Sequence, residues 1–142
     1  MQSAQAILSY FIEDGLLFSA ELTKGRMVEF EALGDALVPD LPLVVLMDGT
    51  TYSAAETSAA AIAESGRGIT IGSKSYGKGI IQATMPLVDG AMLQMTIAKW
   101  YSPNGEWYHE RGVSPQVLVV DDPNTEIDEL IQKALEILAQ FQ

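Results

Sequence analysis

Apolar side chains recur along this chain in two periods, and the switches between them mark out its elements. Ala4, Ile7, Leu8, Phe11 and Ile12 follow the three-to-four spacing of one helix face, with Ser3 placed to cap its start and Gly15 to end it. Leu16 to Leu22 and Met27 to Leu33 are apolar-rich runs flanking Thr23-Lys24-Gly25-Arg26, the composition of a hairpin with glycine in its turn. The tract Val38-Pro39-Asp40-Leu41-Pro42 then breaks the chain before Leu43 to Met47. That unbroken apolar run predicts a strand covered on both faces, as in a parallel sheet flanked by helices.

From Ser53 to Ser65 the residues are small and helix-compatible. Ala54, Ala55, Ala59, Ala60, Ala61 and Ala63 allow a neighbour to approach closely, and Gly66 is placed to stop the helix. Gly68 to Gly72 reads as the next strand, completing a strand, helix, strand unit whose crossover should be right-handed. After the glycine-rich loop Ser73 to Gly79, the runs Ile80 to Leu87 and Ala91 to Tyr101 are joined by Val88-Asp89-Gly90, a strong hairpin signal. Ser102-Pro103-Asn104-Gly105 is another turn, Val117 to Val120 a short strand, and Thr125 to Phe141 a helix with Ile127, Leu130, Ile131, Ala134, Leu135 and Leu138 on its apolar side. Asp121, Asp122, Glu126, Asp128 and Glu129 gather where a helix N-terminus favours acidic groups.

The pattern is that of an α/β domain, and 142 residues with 48% hydrophobic content suffice for a single core, so residues 1–142 are read as one domain. Nineteen acidic against eight basic residues give a net charge of −11, which repels phosphate backbones and argues against a nucleic-acid partner. No run of about 18 uncharged apolar residues exists to span a membrane, and the stretch through Ile12 lacks the basic start of a signal peptide. The absence of cysteine excludes disulfides and thiolate metal sites, and one histidine, His109, excludes a multi-histidine metal site within a chain. Ordered pattern begins almost at Met1, as it would in a piece of a larger protein.

Ser53 and Lys78 carry the candidate chemistry. A serine directly after a buried strand and at the start of a helix has an exposed hydroxyl, with backbone N–H groups aimed at an incoming oxyanion. The N–H of Ala54, the residue after the serine, is the expected oxyanion donor. A lysine serves as base only when its amine is neutral, and its ordinary pKa is about 10.4, so a site using Lys78 this way must lower it. Gly77 and Gly79 permit the tight path that turns Lys78 inward, and Gln82, four residues on, is placed to bond or orient the amine without holding it charged. Glu56 either supports the turn at Ser53 or completes a capping box with it. Taken singly, Ser53 also reads as an ordinary helix cap and Lys78 as a solvated turn residue. His109, in the polar stretch Trp107 to Arg111, is assigned to the surface rather than to a triad with Asp89, Asp121 or Asp122, and Trp100, Tyr101, Trp107 and Tyr108 to cross-strand packing.

In their order, Thr51-Tyr52-Ser53-Ala54-Ala55-Glu56, Gly66-Arg67 and Tyr76-Gly77-Lys78-Gly79-Ile80-Ile81-Gln82 resemble the motifs of the carboxyl-terminal processing (tail-specific) proteases, peptidase family S41. That family shows Ser-Ala-Ser-Ala-Ser-Glu after a buried strand, then Gly-Arg, then Phe-Gly-Lys-Gly with glutamine four residues past the lysine. Thr96 to Gly105 and Gly112-Val113-Ser114-Pro115 continue the similarity, which is clear from Leu43 to about Val120 and looser before it.

The resemblance implies a ClpP/crotonase-like core with a mixed sheet, β-hairpins and flanking helices. It also implies a Ser-Lys dyad, with Ser53 as nucleophile and Lys78, 25 positions later, as base, cleaving proteins near nonpolar C-termini. It implies no metal or cofactor, and it implies a place outside the cytoplasm, in the periplasm or cell envelope, for the parent protein. Asp48 stands where the family often has Asn, and Ala55 where it has Ser. The family's second oxyanion donor, from an upstream glycine turn, and its PDZ domain have no counterpart here. Weak or no activity by itself, and self-association through surfaces left open, are therefore expected. The alternative is a non-catalytic binding domain on the same fold.

Overall fold

The structure, a computed structural model, describes residues 1–34 and 36–141. Gln2–Leu8 forms the first helix (α1), shorter than the pattern through to Gly15 predicts, and begun at Met1 rather than capped by Ser3. The helix ends at Ser9, its C-terminal cap residue. The Ser9 hydroxyl donates back to the Gln5 carbonyl (2.8 Å) and accepts the Leu33 N–H (3.1 Å), and the chain continues through Ile12 as tight turns.

Leu16–Leu22 (β1) and Met27–Glu31 (β2) make the expected antiparallel hairpin. Two successive positive φ angles close it, at Lys24 (67°) and Gly25 (74°). Val44–Met47 (β3), Ala54–Glu64 (α2) and Ile69–Gly72 (β4) form the strand, helix, strand unit, with β3 and β4 parallel. Ile80–Pro86 (β5) and Met92–Tyr101 (β6) pair antiparallel across a turn containing Asp89. Val117–Leu118 (β7) lies parallel to β4.

The fold is mixed α/β, as expected, with its two kinds of ladder in separate sheets: antiparallel β2-β1-β6-β5 and parallel β3-β4-β7. The alanine-rich helix α2 serves both. Ala61 and Ile62 pack with Leu8, Leu17 and Phe18, while Ala59 and Ala60 pack with Met47, Trp100 and Val113. Trp100 and Phe18 are fully buried, each contributing about 1.5–3 kcal/mol by leaving water.

Two expectations about cover need correction. Helices lie on both sides of β3, an edge strand, with α2 on Val45 and Met47, but the last helix covers the other face only in part, leaving Leu46 42% exposed. The last helix, Glu129–Leu138 (α3), starts after the predicted Thr125, because Asp128 caps it by accepting the Ile131 N–H at 2.9 Å. Its covered residues include Leu130, Ala134, Ile137 and Leu138, whereas Ile127, Ile131 and Leu135 remain exposed. Among the described residues no helix is long and apolar enough to cross a membrane.

Candidate active site

Between β3 and α2 the chain must reverse within residues 48–53. Asp48 organises the first part of the turn: its Oδ1 accepts the Thr50 hydroxyl (2.7 Å), the Thr50 N–H (2.8 Å) and the Thr51 N–H (3.0 Å). These bonds, the Thr50 hydroxyl foremost, hold the Asp48 carboxyl below the usual carboxylate range. Ser53 then adopts φ 57°, ψ −121°. Such a conformation costs an L-residue about 1–3 kcal/mol and makes the sharp strand-to-helix elbow on which a nucleophile is presented. The Ser53 carbonyl accepts the Thr57 N–H (3.0 Å), and Ala54, the first residue of α2, has no carbonyl one turn behind it for its own N–H.

Glu56 holds the elbow in place. It is fully buried, and its Oε2 accepts the Ser53 N–H at 2.8 Å, which is the capping contact expected of it. The same oxygen accepts the Lys78 N–H at 2.7 Å, while Oε1 accepts the Gly77 N–H (2.6 Å) and the Ser75 hydroxyl (2.5 Å). Glu56 therefore both caps the helix and supports the turn. Because one oxygen takes both amides, the backbone nitrogens of Ser53 and Lys78 lie no further apart than two hydrogen-bond lengths. Residues 25 positions apart in sequence are held on a single atom.

A strap formed by residues 107–113 closes over the other side of the loop. The Glu110 N–H donates to the Gly77 carbonyl (2.8 Å), Ser75 N–H donates to the Val113 carbonyl (3.0 Å), and the Val113 N–H returns a bond to the Ser75 hydroxyl (2.7 Å). The indole N–H groups of Trp100 and Trp107 donate to the Lys78 and Gly79 carbonyls, both at 2.8 Å. The two glycines flanking Lys78 are needed for different reasons. Gly77 has φ 95°, closed to most side chains, whereas a Cβ on Gly79 would lie 2.7 Å from the His109 nitrogen and the Trp107 indole nitrogen.

The Lys78 Nζ lies 5.7 Å from the centre of the Tyr52 ring, which meets the Tyr76 ring edge-on at 6.4 Å. Gln82, on β5 just past a bulge, shares an open depression with Lys78, Tyr76 and His109. Its side-chain oxygen accepts from Gln94 (3.4 Å) rather than meeting the lysine. His109 is not the free surface residue expected from its polar neighbours. It is half-buried, packed on Trp107 at 5.2 Å with Nδ1 3.3 Å from the Gly77 carbonyl, because the strap lies directly on the glycine-rich loop. Trp100 and Tyr108 pack together at 6.0 Å, in keeping with the packing role read for them. Ser75 and the pair Tyr52 and Tyr76 escaped the sequence reading, since no spacing rule marks a hydroxyl or a ring inside an irregular loop.

A parallel strand ending in an elbow serine, clamped to a glycine-flanked lysine, sits here on an α/β fold found in solved proteases. The structure superposes on the photosystem II D1 C-terminal processing protease with a TM-score of 0.78 at 29% identity, covering 96% of this chain and 35% of that one. Residues 1–119 match peptidase family S41, and the chain belongs to that family. It is 36% identical over 125 residues to a carboxyl-terminal-processing protease of a Picosynechococcus species, a match covering 84% of this chain and 30% of that protein. It is also 36% identical over 118 residues to the carboxy-terminal processing protease CtpA of Bacillus subtilis, covering 82% and 25%. The chain thus spans about a quarter to a third of the length of these relatives.

Proposed function

We propose that this chain is the catalytic core of a serine endopeptidase acting through Ser53 and Lys78 on protein substrates near nonpolar C-termini. The observation that supports this most is the shared Glu56 oxygen, which brings the backbones of the two residues together while the strained elbow presents Ser53. In this reading the neutral Lys78 amine takes the Ser53 hydroxyl proton as Oγ bonds to the substrate carbonyl carbon. The carbonyl oxygen gains negative charge and is met by the Ala54 N–H at the start of α2. The peptide C–N bond then breaks, with the leaving amine taking the proton from Lys78; water next loses a proton to the same amine as it adds to the acyl carbon, the C–Oγ bond breaks, and Ser53 Oγ takes that proton back. The nonpolar preference rests on the family resemblance.

The test is exposure of the chain to a serine-reactive fluorophosphonate, beside Ser53→Ala and Lys78→Ala, with adduct mass as readout. One adduct in the wild type and none in either variant is expected. An adduct surviving Ser53→Ala would sink the nucleophile assignment; no adduct in the wild type would leave either the weak activity expected of this chain by itself or a non-catalytic binding domain, and the same labelling of a longer form of the protein separates the two.

We also propose that the chain self-associates. On the ribbon formed by β5 and β6, Ala83 faces Met95 and Met85 faces Leu93 on one side, with Ile97 in the same alternation, while Gln82 opposite Thr96 and Thr84 opposite Gln94 occupy the other. Met85, Leu93, Met95 and Ile97 are all exposed, and β5 has an open edge. An amphipathic ribbon with an uncovered apolar face favours association.

A further inference from the structure

We propose that Ser75 is the positioning residue of the Ser53–Lys78 pair, acting through Glu56; the inference deepens the dyad reading above and rests on it. Ser75 is buried and is linked to both layers of the site. Its hydroxyl accepts the Val113 N–H from the strap, so its single proton is free to go to Glu56 Oε1. That assigns every bond in the cluster a direction: Val113 N–H to Ser75 Oγ, Ser75 O–H to Glu56, and Ser53, Gly77 and Lys78 N–H to Glu56. The Glu56 side chain has rotatable torsions, and the three amides lie on the two segments to be aligned. The hydroxyl attaches the carboxylate to a third body, the strap, and fixes where Oε2 stands, and with it the spacing between the elbow and the lysine loop.

Ser75 is placed for this and little else. Gly112, next to Val113, has φ 69°, and a Cβ there would lie 2.3 Å from the Ser75 carbonyl, so strap and loop meet backbone to backbone at this point. At this close approach a single side-chain hydroxyl makes the bridge. A hydroxyl that both accepts and donates across the gap satisfies the geometry, and an apolar side chain of similar size leaves Glu56 one donor short. Ser75 does not touch the reacting atoms and is not a catalytic residue; its effect is on where Ser53 and Lys78 stand.

The experiment compares Ser75→Ala, Ser75→Thr and Ser75→Cys in the full chain by amide hydrogen exchange and by the rate of fluorophosphonate labelling. In Ser75→Ala the Ser53, Gly77 and Lys78 amides should exchange together, about tenfold or more faster, while amides of the β1–β2 hairpin hold their wild-type rates. Labelling should slow by about tenfold or more, and Ser75→Thr, which keeps the hydroxyl, should restore both. If Ser75→Ala does not fold, Ser75→Cys, similar in size with a weaker hydrogen bond, should show the same pattern in smaller measure. Faster exchange at Val113 alone, with Ser53, Gly77 and Lys78 unchanged, would overturn the proposal and leave Ser75 as an anchor of the strap. Equal loss in Ser75→Ala and Ser75→Thr would overturn it too. Should the wild-type chain fail to label, that bears on the dyad reading and not on Ser75, whose role the exchange pattern by itself decides.

Discussion

At position 56 the difference between a carboxylate and an amide concerns more than charge. All four partners of Glu56 donate, so in Glu56→Gln the side-chain NH2 must face one or two of these donors with nothing to accept them. A loss of about 2–4 kcal/mol is expected, read as a lower urea midpoint at unchanged slope. Two glycines offer a matched comparison at positive φ. Gly105 (80°) has open space around its missing Cβ, and Gly105→Ala should lose about 1 kcal/mol; Gly112 (69°) faces the Ser75 carbonyl, and Gly112→Ala should lose about 2–4 kcal/mol. Thermal unfolding of the two variants checks the ranking. At this scale the sequence marked Ser53, Glu56, Gly77, Lys78 and Gly79 by type and order and Gly112 only as part of a motif, while Ser75 carries no signal of its own. The roles of Gly112 and Ser75 arise only where the strap meets the loop.

Elements are tied to one another by a few side chains, and Tyr108 is the clearest case. It sits on the strap and donates its hydroxyl to Glu64 near the end of α2 (2.8 Å), while the other Glu64 oxygen accepts the Asn104 N–H (2.8 Å). Burial first, and the Glu64 hydrogen bond second, push the Tyr108 phenol up to about 12. A phenol raised above its ordinary value of 10.0 stabilises the fold below that pH, and the contribution disappears as pH climbs through about 12. Between these limits the wild-type urea midpoint is expected to fall more steeply with pH than that of Tyr108→Phe. Parallel curves for the two proteins would remove Tyr108 as a tie. Both hairpins and α2 were legible because their turn residues and periods are local. The start of α3 was not, because Asp128 acts through a specific hydrogen bond that hydrophobic spacing does not report, and the apolar pattern runs on past the end of α1 at Ser9.

For the molecule as a whole, the uncovered face of the β5–β6 ribbon leads to an expectation about size in solution. Sedimentation velocity should show mass rising with concentration, and Leu93→Lys, which places a charge in the middle of the apolar face, should return the chain to a single monomeric species. A monomer at every concentration in the wild type would count against association. The amino-acid sequence determined the α/β class, the order of the elements, the elbow serine and the glycine-flanked lysine. Those properties depend on local backbone preference, on apolar period and on residue type, which neighbours along the chain are enough to define. Tertiary structure alone decided that one face of β3 and part of α3 stay partly open, that His109 is carried by the strap onto the glycine-rich loop, and that one carboxylate gathers residues 53, 75, 77 and 78. The physical reason is the same in each case: cover and long-range hydrogen bonding depend on which segments the sheets bring side by side, and no period within the chain encodes that distance.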